Sequence, residues 1–208
     1  TVTIEHSIIG SVLVREDEVT SDPIDLHITD SILDATEGDA QAVGGLDGRA
    51  AHVAMTIKRS TIFGVIQAHA VLLAENTIFN DCVHVARRQV GCMRYCYVPS
   101  GCRTPRRHAC QPDLATQAIT GDDPLARAAL VAAERIRLRP SFTQRLYGQP
   151  AYAQLSDDCA AEIRTGADDG SELGVFHDLY QPQRASNLAV RLSEYMPAGM
   201  DGGLINES

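Results

Sequence analysis

Four short stretches of this chain, residues 4–10, 28–34, 57–64 and 73–80, align on one pattern: an apolar residue, two variable positions, Ser or Asn, an optional Thr, two apolar residues, then Gly, Asp or Asn. Their anchors Ile4, Ile28, Ile57 and Leu73 stand 24, 29 and 16 residues apart. Self-similarity of this kind predicts stacked units, each too small to bury its own apolar face. The expectation is an all-β solenoid, a right-handed parallel β-helix, over residues 1–98. Ile8, Ile9, Ile32, Leu33, Ile62, Phe63, Ile78 and Phe79 would supply its inward and sheet-packing positions. The competing fold is an antiparallel sandwich, which strand patterning alone also fits. Ser7, Ser31, Ser60 and Asn76 share the polar position and suit an inward stack or a turn, because their side chains bond nearby backbone. Residues 15–25, with five acidic side chains and Pro23, and the Gly-rich residues 36–49 read as loops too polar for a core.

Net charge is −9, unevenly spread. Residues 1–81 hold 13 acids and 4 bases, residues 82–110 hold 6 arginines and no acid, and residues 111–208 hold 14 acids and 8 bases, giving −9, +6 and −6. An acidic chain with one short basic stretch does not have the profile of a nucleic-acid-binding domain. Within the basic stretch, residues 83–98 alternate well enough for one or two more strands, and Val90 stands where a fifth unit would be anchored. Residues 99–113 are rich in Pro and turn residues. Because Pro cannot donate to a ladder, they read as the strand that ends the stack plus an extended segment across it, with Arg103, Arg106 and Arg107 pairing acids of other regions.

Beyond residue 121 the periodicity changes. Residues 122–137 form a helix by several signals: Asp122 or Asp123 as cap, Pro124 in the first turn, arginines at the far end and Pro140 beyond. A short helix is expected from Ser156 to Ile163. A longer one covers residues 183–196, with Leu188, Leu192 and Tyr195 on one face and Pro197 as the stop. The domain organisation is therefore residues 1–98 as the β-helix, 99–121 as a Pro-, Arg- and Cys-rich capping segment, and 122–208 as a helical, partly irregular appendage. No stretch is long and apolar enough to span a bilayer. The chain opens at Thr1, which predicts a processed or truncated product.

The six cysteines are Cys82, Cys92, Cys96, Cys102, Cys110 and Cys159. Cys92 to Cys110 form a C-x3-C-x5-C-x7-C run with His108 beside its end. Structural zinc sites open and close on short C-x2-4-C pairs; the first pair here fits loosely and the second does not. Free thiols, a disulfide such as Cys92–Cys110, and a metal site on Cys92, Cys110 and His108 all stay open.

Residues 85–95, 103–113, 166–177 and 181–188 carry specific motifs. On these, the chain resembles a family of uncharacterised bacterial proteins from actinobacteria, cyanobacteria and myxobacteria. The resemblance covers most of residues 50–195 and implies an association with phage-tail-like gene clusters. It implies no activity, and no catalytic residue is carried over. Cys96 and Cys102 depart from the family, where Ser is expected, which leaves Cys92 and Cys110 as the pair to watch. Residues 200–208 also lack the aromatic, apolar ending expected of relatives.

Enzymatic β-helices cluster carboxylates at the separations acid/base chemistry needs. Asp30, Asp34, Glu75 and Asp81 are the carboxylates to weigh, but Gly10 and Gly64 interrupt any ladder. Residues 166–172 have the composition of a cation loop without EF-hand spacing. Neither a Gly-x-Ser-x-Gly elbow nor a P-loop is present. The expectation is a non-enzymatic structural or adaptor module without a cofactor. A helical tail would make protein–protein or self contacts, in a phage-tail-like assembly. Phe142, Tyr147, Tyr152, Phe176 and Tyr180 are the partner-contact residues, since aromatics anchor interfaces. The alternatives are a glycan-binding or glycan-cleaving module and a metal or redox site at the cysteine cluster.

Overall fold

The computed structural model describes residues 1–15, 22–37, 40–46, 48–197 and 200. Residues 16–21 of the loop expected at 15–25, residues 38, 39 and 47 of the one expected at 36–49, and residues 201–208 lie outside the described residues. Thirteen strands come first: β1 (Val2–Glu5), β2 (Ile8–Ile9), β3 (Val12–Val14), β4 (Ile24–Thr29), β5 (Ile32–Asp34), β6 (Gln41–Gly45), β7 (Ala51–Lys58), β8 (Thr61–Phe63), β9 (Val65–Glu75), β10 (Ile78–Phe79), β11 (Val83–Val85), β12 (Cys92–Arg94) and β13 (Arg106–His108). Among the described residues four α-helices follow: α1 (Asp113–Gln117), α2 (Pro124–Arg137), α3 (Ala161–Arg164) and α4 (Gln181–Tyr195).

The strands form two parallel sheets. The larger has nine strands, with β1-β4-β7-β9-β12-β13 as its main path. The smaller has four, in the order β10-β8-β5-β2. The right-handed β-helix expected for residues 1–98 is corrected by this topology, and with it the solenoid of repeated coils. The fold is a mostly parallel arrangement of two unequal sheets with few helices. The 11-residue β9 is shared by β6, β7, β11 and β12, while β3 pairs with β6 off the main path. The physical reason is that like segments at intervals of 16–29 residues require parallel neighbours in register. They do not require every unit to have the same course between neighbours.

The core lies between the sheets. Leu26, Ile28, Met55 and Ile57 of the larger sheet meet Leu33, Ile62 and Phe79 of the smaller, none more than 2% exposed. Burial contributes about 1.5–3 kcal/mol for each such side chain. Of the expected core residues, Ile9 is half-buried against this cluster and Ile8 is exposed. Ile32, Phe63 and Ile78 are buried on the other side of the small sheet. Residues 36–49 are more than a loop, because β6 places Ala42 and Val43 in the core.

The polar position of the aligned segments marks a recurring corner. His6, Asp30, Arg59, Asn76, Tyr95 and Ala109 each adopt a left-handed backbone conformation, with φ of 46°, 49°, 43°, 50°, 50° and 50°. The next residue in each case donates to the carbonyl two positions back: Ser7 to Glu5, Ser31 to Thr29, Ser60 to Lys58, Thr77 to Glu75, Cys96 to Arg94 and Cys110 to His108. The Ser31 and Ser60 hydroxyls also accept the backbone N–H of Ser7 and Ser31. At about 1 kcal/mol per bond, this file is outweighed by the apolar core, and its contribution is register. It shifts the fourth segment by one residue: Ile57 faces Ala74, not Leu73, and Thr77, not Asn76, takes the hydroxyl position. The fifth member is Met93 to Cys96 rather than a unit anchored at Val90.

Within residues 99–113 the structure has a strand at the end of the larger sheet's main path, while the arginine pairing expected there differs. β13 pairs in parallel with β12 and extends the larger sheet, using Arg106, Arg107 and His108, which are not prolines. Arg107 pairs with Asp113 of its own segment at 3.1 Å, and Arg103 reaches the Ala86 carbonyl. The short helix near residue 160 is α3 alone, with Ser156 in the preceding turn. Among the described residues, no helix is long and apolar enough to cross a membrane.

Candidate functional site

Residues 141–180 fold over the outer face of the small sheet. Phe142 meets Phe63 edge-on at 4.9 Å, and Tyr152 donates its hydroxyl to Asp34 at 2.5 Å. Burial, reinforced by the Asp34 carboxylate, pushes the Tyr152 hydroxyl pKa up. Val175 N–H donates to Thr61 Oγ1, and Phe176 packs on the same cluster. Of the five aromatics read as partner contacts, Phe142, Tyr152 and Phe176 thus hold the tail to the sheet. Tyr147 and Tyr180 stay more exposed, at 66% and 42%.

The carboxylates weighed for glycan chemistry are each engaged. Asp30 makes a bidentate pair with Arg59 at 2.7 Å, Asp34 takes Tyr152, Glu75 pairs with Arg94 at 2.6 Å, and Asp81 accepts from Gly64 N–H and Asn80. The cysteines are placed differently from the Cys92–Cys110 pairing. Cys82 and Cys102 form the disulfide, their Cα atoms 5.3 Å apart on neighbouring parallel segments. Cys92, Cys96, Cys110 and Cys159 are free thiols. Cys96 and Cys110 occupy hydroxyl positions of the corner file, and burial pushes the Cys96 thiol up. His108 lies on β13 with its ring edge against Tyr95. Arg87, Arg88, Arg103 and Arg106 line an open groove of about 780 Å³.

The most distinctive surface is on α2. Asp123 caps it, accepting from Leu125 N–H at 2.9 Å, and Arg137 anchors its far end on Glu134 and Glu162. Among the described residues none of α2 is buried; Val131 and Glu134, half-covered, mark the side nearest the body. The opposite side is a 4-3-4 stripe of Leu125, Ala129, Ala132 and Ile136, all exposed, with Leu125 and Ile136 at 80% and 77%. Such spacing is that of a helix–helix seam. It also reads alike in both directions. Turned end for end about the point between Leu130 and Val131, Leu125 coincides with Ile136, Ala128 with Ala133 and Ala129 with Ala132. The helix itself was visible in the sequence; which of its apolar residues the body would leave uncovered was not.

A second cluster gathers tail residues. His177, buried in a 3-10 turn, has Nδ1 2.9 Å from Asp178 Oδ1, and Nε2 3.4 Å from Asp169 Oδ1 and 3.8 Å from Asp168 Oδ1. Asn76 Nδ2 donates to Asp168 Oδ1 at 2.7 Å and lies 3.3 Å from His177 Nε2. Burial raises the Asp169 pKa, but bonds from Ser171 and Tyr180 and the nearby imidazole outweigh it, holding the carboxyl below its ordinary value. The sequence suggested a cation loop in residues 166–172 but not His177, which the chain returns only through the turn after Gly174.

No family model, curated protein or solved structure matches the chain.

Proposed function

We propose that the chain is a non-enzymatic structural module that self-associates, with a second copy docked antiparallel along α2. The reading rests on one observation: the uncovered stripe Leu125–Ala129–Ala132–Ile136 is complementary to itself under a two-fold axis, as an isologous contact requires. Central alanines let two helix axes approach to about 8 Å, while Leu and Ile close the ends. A single helix of 14 residues in water is marginal without apolar burial, so covering this face also stabilises the helix. The contact is small, and a dissociation constant on the order of 10–100 μM is expected. The resemblance to proteins encoded beside phage-tail-like genes supports a role in a larger assembly. The glycan reading has no comparable support, since its four carboxylates are engaged internally.

Light scattering across protein concentrations tests this reading. A dimer mass that falls to the monomer in Ile136→Asp is expected. A monomer at all concentrations up to about ten times that dissociation constant, near 1 mM, would count against it.

A further inference from the structure

We propose that Asp168, Asp169 and His177 form a binding site for a divalent metal ion of the zinc class, with Asp178 as the positioning residue for the histidine. Asp178 Oδ1 lies 2.9 Å from His177 Nδ1 and accepts its proton in a hydrogen bond; in the neutral ring the Nε2 lone pair then faces the two aspartates and Asn76 Nδ2. A carboxylate on the far nitrogen is the usual support of a metal-binding histidine, fixing both tautomer and ring orientation. Two of the three donor separations are close to what zinc needs: tetrahedral bonds of about 2.0–2.1 Å set donors roughly 3.3 Å apart, against 3.4 Å and 3.8 Å from Nε2 to Asp169 and Asp168, and the three donors lie within 4.8 Å of one another. One imidazole nitrogen with two carboxylate oxygens suits zinc, cobalt or manganese better than calcium, which takes oxygen alone.

A second observation points into the same place. Ser171 is fully buried, and its N–H donates to Asp169 Oδ1 at 2.9 Å. Its own Oγ is buried and has no hydrogen-bond partner among the described residues. Asn76 supplies the cluster with hydrogen bonds, and Arg59 is the cation beside it, its Nε 3.7 Å from Asp178 Oδ2. Asp168 and Asp169 stay 43% and 36% exposed, so the remaining coordination positions open to water.

The test is titration of the chelator-treated, disulfide-intact chain with Co²⁺, followed by its visible spectrum, with Zn²⁺ competition. One equivalent is expected, without the near-ultraviolet band of thiolate ligation, displaced by Zn²⁺. Asp169→Asn should weaken binding at least 100-fold, and Asp178→Asn about 10- to 100-fold. His177→Gln should abolish it, and the exposed Asp169 variant covers the case in which His177→Gln fails to fold. No stoichiometric uptake at 100 μM metal, a thiolate band, or affinity unchanged in Asp169→Asn would each overturn the proposal.

Discussion

Tyr152 donates its hydroxyl hydrogen to Asp34 at 2.5 Å, joining residues 118 positions apart in the chain. Asp34 ends β5, and Tyr152 is 9% exposed within the tail, so the bond sits where the tail closes over the small sheet. A hydrogen bond to a charged acceptor is worth about 1.5–3 kcal/mol. Tyr152→Phe keeps the ring against Phe63 and removes only the hydroxyl. We expect chemical denaturation to show a loss of about 1–2 kcal/mol; an unchanged midpoint would mean that the tail is held by apolar contact alone.

The aligned segments made the parallel neighbours legible, because Ser7, Ser31 and Ser60 mark the corner in each. The register of the fourth was not, since Leu73 outranks Ala74 by hydrophobicity although Ala74 is the residue that faces Ile57. The fifth and sixth corners were hidden by chemistry: Cys96 and Cys110 donate through sulfur where earlier corners use a hydroxyl. The same alignment overreached in predicting a solenoid, because nothing in it encodes the sharing of β9 by four strands. Of the helices, α2 and α4 were read nearly to their ends from Pro124 and Pro197, whereas α1 was not expected and α3 covers only the end of the helix expected from Ser156. The Cys82–Cys102 disulfide and the His177 cluster depend on contacts between segments that no local pattern records.

Glu172 is 3% exposed, and burial pushes its pKa up to about 7 from an ordinary 4.5, against a small opposing pull from Arg164. The folded state then holds a proton that the unfolded state has released. Stability therefore falls as pH rises from about 4.5 to 7 and levels off above, by up to about 3 kcal/mol. Glu172→Gln should flatten this slope and be the more stable protein at pH 8. Parallel pH–stability curves for the two would contradict the assignment.

Gly91 precedes β12 at φ +82°, where a Cβ would lie 1.9 Å from the Val71 carbonyl oxygen and 2.7 Å from Leu72 Cα. Both obstacles are β9 backbone, which cannot yield as a flexible side chain does. Gly91→Ala should cost about 2–4 kcal/mol through positive φ and overpacking together. Gly101→Ala, also at positive φ but with open space around it, should cost about 1 kcal/mol. Thermal unfolding of the pair separates close approach from backbone strain, and equal losses would show that the approach to β9 relaxes freely.

The central claim is that two copies meet antiparallel along α2 with Ala129 facing Ala132 of the other. Its most direct measurement is sedimentation equilibrium of Ala129→Glu, Ala132→Lys and their equimolar mixture. Both sites are exposed in the single chain, so neither change should disturb its fold. Each variant alone brings like charges together at the seam and should sediment as a monomer. In the mixture the introduced glutamate of one chain faces the introduced lysine of the other, and the opposite charges should restore a heterodimer that weakens with salt. A mixture that stays monomeric while the unmodified chain dimerises would contradict the antiparallel register, and an unmodified chain that never dimerises would contradict the account as a whole.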